Sequence, residues 1–154
     1  MPRSANVLLH PLVSVLLAVS AIASFLAGAG CSSGEPKIGI ETPSAELSPV
    51  FLGVASVYMT VRNEGGRDSL VAASLNIPNA LIELHDVKDR RMVKVERIRI
   101  PSRSTVELRP GGMHLMIYNM PRNMQEGAEI VLSLRFERSG VRQVPVRLTK
   151  PAGT

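Results

Sequence analysis

The chain has 154 residues and a mass of 16.6 kDa, the size of one domain. It carries 18 Lys+Arg against 13 Asp+Glu, one Cys, no Trp and only 3% aromatic residues, with a pI near 10.0. A lone Cys excludes an internal disulfide and a Cys-rich zinc or iron–sulfur site. The scarcity of aromatics excludes a stacking platform for single-stranded nucleic acid, and 45% hydrophobic content excludes a disordered chain.

The first 31 residues read as an export segment. Arg3 is followed by an uncharged, apolar or small-residue run from Leu12 to Ala29 and then by Cys31. That run, 18 residues, also reaches the lower limit for a retained membrane helix. Ala27-Gly28-Ala29 fits ordinary signal cleavage. Gly30-Cys31-Ser32-Ser33-Gly34 resembles the end of a bacterial lipoprotein signal, in which the cysteine thiol is lipidated, although Gly28 stands where that signal prefers Leu. On the lipoprotein reading Cys31 tethers the domain to the outer surface of a membrane without spanning it. Loss of the segment removes one charge, Arg3, so the remainder keeps 17 of the 18 basic residues and all 13 acidic ones.

Residues 32–50, with Pro36, Pro43 and Pro49, read as a linker running into an edge strand near Lys37–Glu41. The main domain is expected over 51–150, with 151–154 a short tail. From Ala55 to Arg62 apolar residues alternate, with Ala55, Val57, Met59 and Val61 on one face. Further strands are expected at Ser69–Leu75, Leu81–Lys88, Met92–Ile98, Thr105–Arg109, Met113–Tyr118, Glu129–Glu137 and Val141–Leu148. Asp89-Arg90-Arg91 lacks the Asn-Gly of a tight hairpin and reads as a loop. Short strands separated by turn residues at this density predict an all-β, Greek-key β-sandwich.

His10 lies in the export segment, so the domain has two histidines, His85 and His114. His114 and Met116 share one face of a strand, with Met113, Leu115 and Ile117 on the other; Met92 follows His85 in the same hairpin. A thioether needs no deprotonation and selects Cu(I) over hard cations, and imidazole also suits copper. Such a set disfavours zinc, calcium and magnesium, and without a thiolate it is no blue-copper centre. Plain packing accounts for Met and His at these positions equally well.

The residues around these pairs resemble the PCu(A)C family of bacterial extracytoplasmic copper chaperones. That family has a cupredoxin-like sandwich and a motif of His, Met, 21 residues, then His-x-Met. Here 21 residues separate Met92 from His114-Leu115-Met116. Ala55-Ser-Val-Tyr-Met-Thr-Val-Arg-Asn63, Ile82-Glu-Leu-His85, Ile100-Pro101 and Leu108-Arg-Pro-Gly-Gly-Met-His114 extend the resemblance, which runs from Val54 to Leu148. The hairpin from His85 to Met92 is shorter than the family's, with six intervening residues, and the tail holds no Met or His. The resemblance implies a Cu(I) carrier, not an enzyme, with His85, Met92, His114 and Met116 holding copper at an exposed edge. It further implies ligand exchange with a membrane oxidase subunit or its assembly factor. Met113 is expected in the core; Met120 and Met124 are expected in a loop, with transient docking sulfurs as the lesser reading of them.

The other reading is a surface-anchored β-sandwich that serves as a structural or interaction module. No Ser-His-Asp set or carboxylate pair suggests catalysis; Asp86 is placed to orient His85. Lys88, Arg90, Arg91, Lys94, Arg97 and Arg99 read as a solvated hairpin face, or as a surface for an acidic partner or anionic headgroups. Nucleic acid is not an expected partner of an exported domain.

Overall fold

The computed structural model describes residues 34–150. The export segment, Cys31 and the tail 151–154 lie outside the described residues. Ten strands follow in order: β1 (Ile38–Leu47), β2 (Ala55–Asn63), β3 (Asp68–Leu75), β4 (Leu81–Lys88), β5 (Arg91–Lys94), β6 (Ile98–Ile100), β7 (Ser104–Leu108), β8 (His114–Tyr118), β9 (Glu129–Phe136) and β10 (Gly140–Thr149). They pair in the order β5-β4-β8-β2-β1-β10-β9-β3-β6, with β7 also on β2. One layer runs from β5 to β1, the other from β10 to β6, and a short parallel pairing of Ala45 with Leu148 joins them. Across the layers β3 packs on β4 and β6 on β7. The fold is the expected all-β, cupredoxin-like sandwich.

The core follows from period-2 alternation. In β2 Ala55, Val57, Met59 and Val61 are buried, and Leu132, Leu134 and Phe136 of β9 meet them in one cluster. At the end of β2, buried Asn63 takes the place of a hydrophobe. Its Oδ1 accepts from the backbone N–H of Lys37 and Gly65, and its Nδ2 donates to the carbonyls of Gly66 and Pro101. One amide thereby ties the incoming chain to two turns with every near partner satisfied. Gly65 and Gly66 lie so close to this incoming segment that a Cβ on either would collide with the carbonyls of Glu35 and Gly34.

Three local expectations are corrected. The strand near Lys37–Glu41 is no edge: β1 lies between β2 and β10. A bulge between Glu41 and Ser44, with Thr42 at φ 46°, accommodates Pro43 and lets the strand continue to Leu47. Asp89-Arg90 is a two-residue turn and not a loop, since Lys88 pairs directly with Arg91. Both turn residues have positive φ, 50° and 60°, the mirror-image geometry that suits strand twist and that Asp tolerates better than most residues. The segment Met92–Ile98 divides into β5 and β6, which leave in different layers because Val95–Arg97 bends from β4 towards β3.

Candidate metal centre

The register of β5, β4, β8 and β2 decides which side chains meet. His85 is directly opposite His114, Glu83 opposite Met116, and Met116 opposite Ser56. Because side chains alternate, Glu83, His85, His114, Met116 and Ser56 all stand on the face turned away from the Leu84, Leu115 and Ile117 core. The imidazoles meet edge-on, with ring centroids 5.6 Å apart. Tyr58 flanks His114 at 6.3 Å and Tyr118 flanks His85 at 6.4 Å.

This packing changes the expected exposure. The histidines are not at an open edge: His85 is 7% and His114 4% exposed, covered by the neighbouring strand β5 and the tyrosine rings. Met116 is half-buried, and the Ser56 hydroxyl donates to its Sδ at 3.2 Å. Met92 lies opposite Val87, on the His85 face but two positions nearer the turn, and is 52% exposed. The register therefore brings His85, His114 and Met116 together and leaves Met92 at the solvent side.

Hydrogen bonds assign the ring nitrogens. Lys94 first, and His85 second, hold the Glu83 carboxyl below its ordinary range, so Glu83 is an ionised acceptor. Lys94 Nζ reaches Oε1 at 2.6 Å, and His85 Nε2 donates to Oε2 at 3.0 Å. The lone pair of His85 is therefore on Nδ1, the one buried side-chain nitrogen or oxygen among the described residues without a hydrogen-bond partner. His114 has the opposite arrangement: Nδ1 donates to the Gly112 carbonyl at 2.8 Å, leaving the lone pair on Nε2. The face thus offers His85 Nδ1, His114 Nε2 and a thioether, a donor set for a soft monovalent cation. Among the described residues no group of three His, Cys, Asp or Glu side chains is placed to hold a harder metal ion.

Sequence reasoning did not find Glu83 or Ser56. Glu83 carried a signal, since two positions before His85 on a strand is the same face; Ser56 needed the register. Asp86, the expected orienter, turns its carboxylate to the Val87 N–H at 2.8 Å and is paired with Val93 in the other phase of β4. Met120 and Met124 do not stand free in their loop. Met120 is 4% exposed and Met124 packs against the core, because the loop after β8 folds back with Met120 N–H on the Gly53 carbonyl. Met113 packs against the core as expected.

Removal of the Glu83 carboxylate by Glu83→Ala should free the His85 tautomer and lower metal affinity by about tenfold or somewhat more, the usual weight of a group that orients a ligand. Chelator competition with Cu(I) measures the loss, and nitrogen-15 NMR of the ring follows the tautomer.

Solved structures share this fold. The chain is similar to a copper-bound PCuAC domain from PmoF2, 24% identical with a TM-score of 0.63, over 75% of this chain and 94% of that one. It is likewise similar to the solution structure of CuI-DR1885 from Deinococcus radiodurans, 21% identical with a TM-score of 0.64, over 84% of this chain and 87% of that one. The fold is thus that of the PCuAC domains. The family model described as "Putative lipoprotein LpqE-like" matches residues 39–148, and the chain belongs to this LpqE-like family. A curated relative from Leifsonia xyli subsp. xyli (strain CTCB07), "Putative lipoprotein Lxx21020", is 23% identical over 138 residues, 86% of this chain and 83% of its own length.

Proposed function

We propose that this chain is an extracytoplasmic Cu(I) metallochaperone, anchored through a lipid on Cys31, that carries copper by ligand exchange. The observation that carries the reading is the unpartnered, buried Nδ1 of His85 beside His114 and Met116. A buried nitrogen without a partner costs stability, commonly about 1–3 kcal/mol, and a metal ion would satisfy it. His85 Nδ1, His114 Nε2 and Met116 Sδ hold the cargo in this reading. Met92 supplies the exposed thioether through which an acceptor enters. Binding by Met116 requires only that Sδ release the Ser56 hydroxyl, a weak bond that a metal readily replaces.

The copper-bound state of one similar domain supports the choice of metal. Membership of a family described as lipoproteins supports the anchor. The acceptor is assigned as a copper centre of a respiratory oxidase or its assembly factor. Titration of the protein against a Cu(I) chelator should give one tightly held Cu(I) per chain and no comparable Zn(II) binding. Failure to withdraw copper from the chelator would leave the interaction-module reading in its place. A strain lacking the protein should lose oxidase activity under copper limitation; normal activity would remove the oxidase as acceptor.

A further inference from the structure

The two ends of the sandwich differ in charge. At one end the chain enters: Gly66 N–H bonds the Glu35 carbonyl, Glu64 N–H the Lys37 carbonyl, and Arg103 N–H the Gly65 carbonyl. Arg138 bonds the carbonyls of Gly34 and Arg67 at the same place. Arg67, Arg97 and Arg99 line an open groove there. Lys37, Arg67, Arg99 and Arg103 come from four separate segments, and all are exposed. The local acids leave this excess standing: Glu64 pairs with Arg62, Glu137 with Arg97, and Asp68 is buried, which leaves exposed Glu35 and Glu96, and Asp89 in the hairpin tip, against a larger number of exposed cations. The tip of the β4–β5 hairpin, with Lys88, Arg90 and Arg91, points the same way, since β4 and β2 both run antiparallel to β8.

The far end is different. Val50, Phe51 and Leu52 are exposed in the β1–β2 loop, Phe51 to 67%. Its basic residues are largely matched, with Lys150 on Glu126 and Arg147 on Glu129.

We infer that the basic end is a seat for anionic phospholipid headgroups, which holds the anchored domain upright with its apolar tip away from the bilayer. The inference rests on the lipid-anchor reading of Cys31. Cys31 lies three positions before Gly34, so whatever path the chain takes, its lipid attaches within about 11 Å of this surface at a reach of about 3.6 Å per residue. Clustered Lys and Arg at a membrane surface are drawn to anionic lipid within a Debye length, about 8 Å at physiological salt. The cations and the tether thus act at one end, and the metal centre, beside Tyr58 midway along β2, is turned to the side.

The absence of Trp from the chain permits a direct test. The full lipidated chain, carrying either Ser102→Trp at the basic end or Phe51→Trp at the far end, is reconstituted in vesicles. These are phosphatidylcholine alone or with phosphatidylglycerol, each with a nitroxide-headgroup lipid as quencher. Quenching should be greater for Ser102→Trp than for Phe51→Trp, should rise with phosphatidylglycerol, and should fall in ~1 M salt, where the Debye length is about 3 Å. Adding Arg67→Glu, Arg99→Glu and Arg103→Glu should remove the rise; the salt titration without them carries the test if that variant misfolds. Equal quenching at both ends, or no response to phosphatidylglycerol and salt, in protein that floats with both vesicles would overturn the seat while leaving the anchor. Protein that floats with neither would overturn both.

Discussion

Replacing His114 and Met116 together by Ala should weaken Cu(I) binding by at least about a hundredfold while leaving the sandwich folded. Removing a group that merely orients a ligand costs about 10–100-fold, and here two donors of three are removed. Leu115, between them, faces the core and stays in place, and β8 keeps its backbone pairing to both β4 and β2. The His85 Nδ1 lone pair then remains alone, and one imidazole cannot hold Cu(I) against a competing chelator. Competition titration with Cu(I), beside a circular dichroism melt, checks both parts. Undiminished affinity in the double variant would place the copper elsewhere.

The second large effect concerns stability. Asp68, buried at the start of β3, accepts hydrogen bonds from the backbone N–H of Ser69 at 2.8 Å, Arg138 at 2.9 Å and Ser139 at 3.0 Å, and from the Ser139 hydroxyl. Burial raises its pKa, but these four donors together outweigh burial and hold the carboxyl below the ordinary value of 3.8. Asp68→Ala leaves several inward donors without an acceptor and should cost about 3 kcal/mol in denaturant unfolding. The pH dependence has a definite sign. The folded pKa is lower than the unfolded one, so this stabilisation is complete above the unfolded value and is lost as pH falls through the folded value. The unmodified protein should therefore lose stability below about pH 4 more steeply than Asp68→Asn, which has no proton to gain there. Parallel acid limbs for the two proteins would remove Asp68 as a cause.

The parts of the fold set by alternation could be read directly from residues. The sequence Ala55–Arg62 buries one phase and leaves the other only partly covered or exposed because its apolar residues recur every second position, and β9 and the second half of β10 follow the same rule. What alternation does not contain is pairing order. The Lys37–Glu41 strand was expected at an edge because prolines surround it in an apparent linker, whereas a bulge absorbs Pro43 and the strand is internal. The Asp89-Arg90 turn lacks glycine, so its left-handed backbone is marked in the residue types only by Asp89.

The metal centre was legible in the same uneven way. His114 and Met116 share a face by spacing alone, His85 and Met92 stood out as a pair in one hairpin, and the resemblance joined the four into one set. That Glu83 holds His85, and that Ser56 holds Met116, depends on register between strands far apart in the chain. The expectation of exposed ligands failed for the two histidines because the flanking groups, Tyr58 beside His114 and Tyr118 beside His85, come from other strand positions and were not visible as their neighbours. Met120 was placed in a polar loop by its Asn and Pro neighbours, yet the loop's return to Gly53 buries it.

The parallel pairing of Ala45 with Leu148 bears on how the protein comes to be folded. The first strand and the last are neighbours, so the hydrogen-bonded seam between the two layers forms only by closing a loop that includes nearly the whole domain. Closure on that scale, in a fold with few local contacts, places folding on the slow millisecond-to-second side of the range for small domains. Until Leu148 is available, β1 can pair with β2 alone, and its other edge stays open. A partly synthesised chain therefore cannot complete the sandwich, and the seam between the layers forms only once the last strand is present.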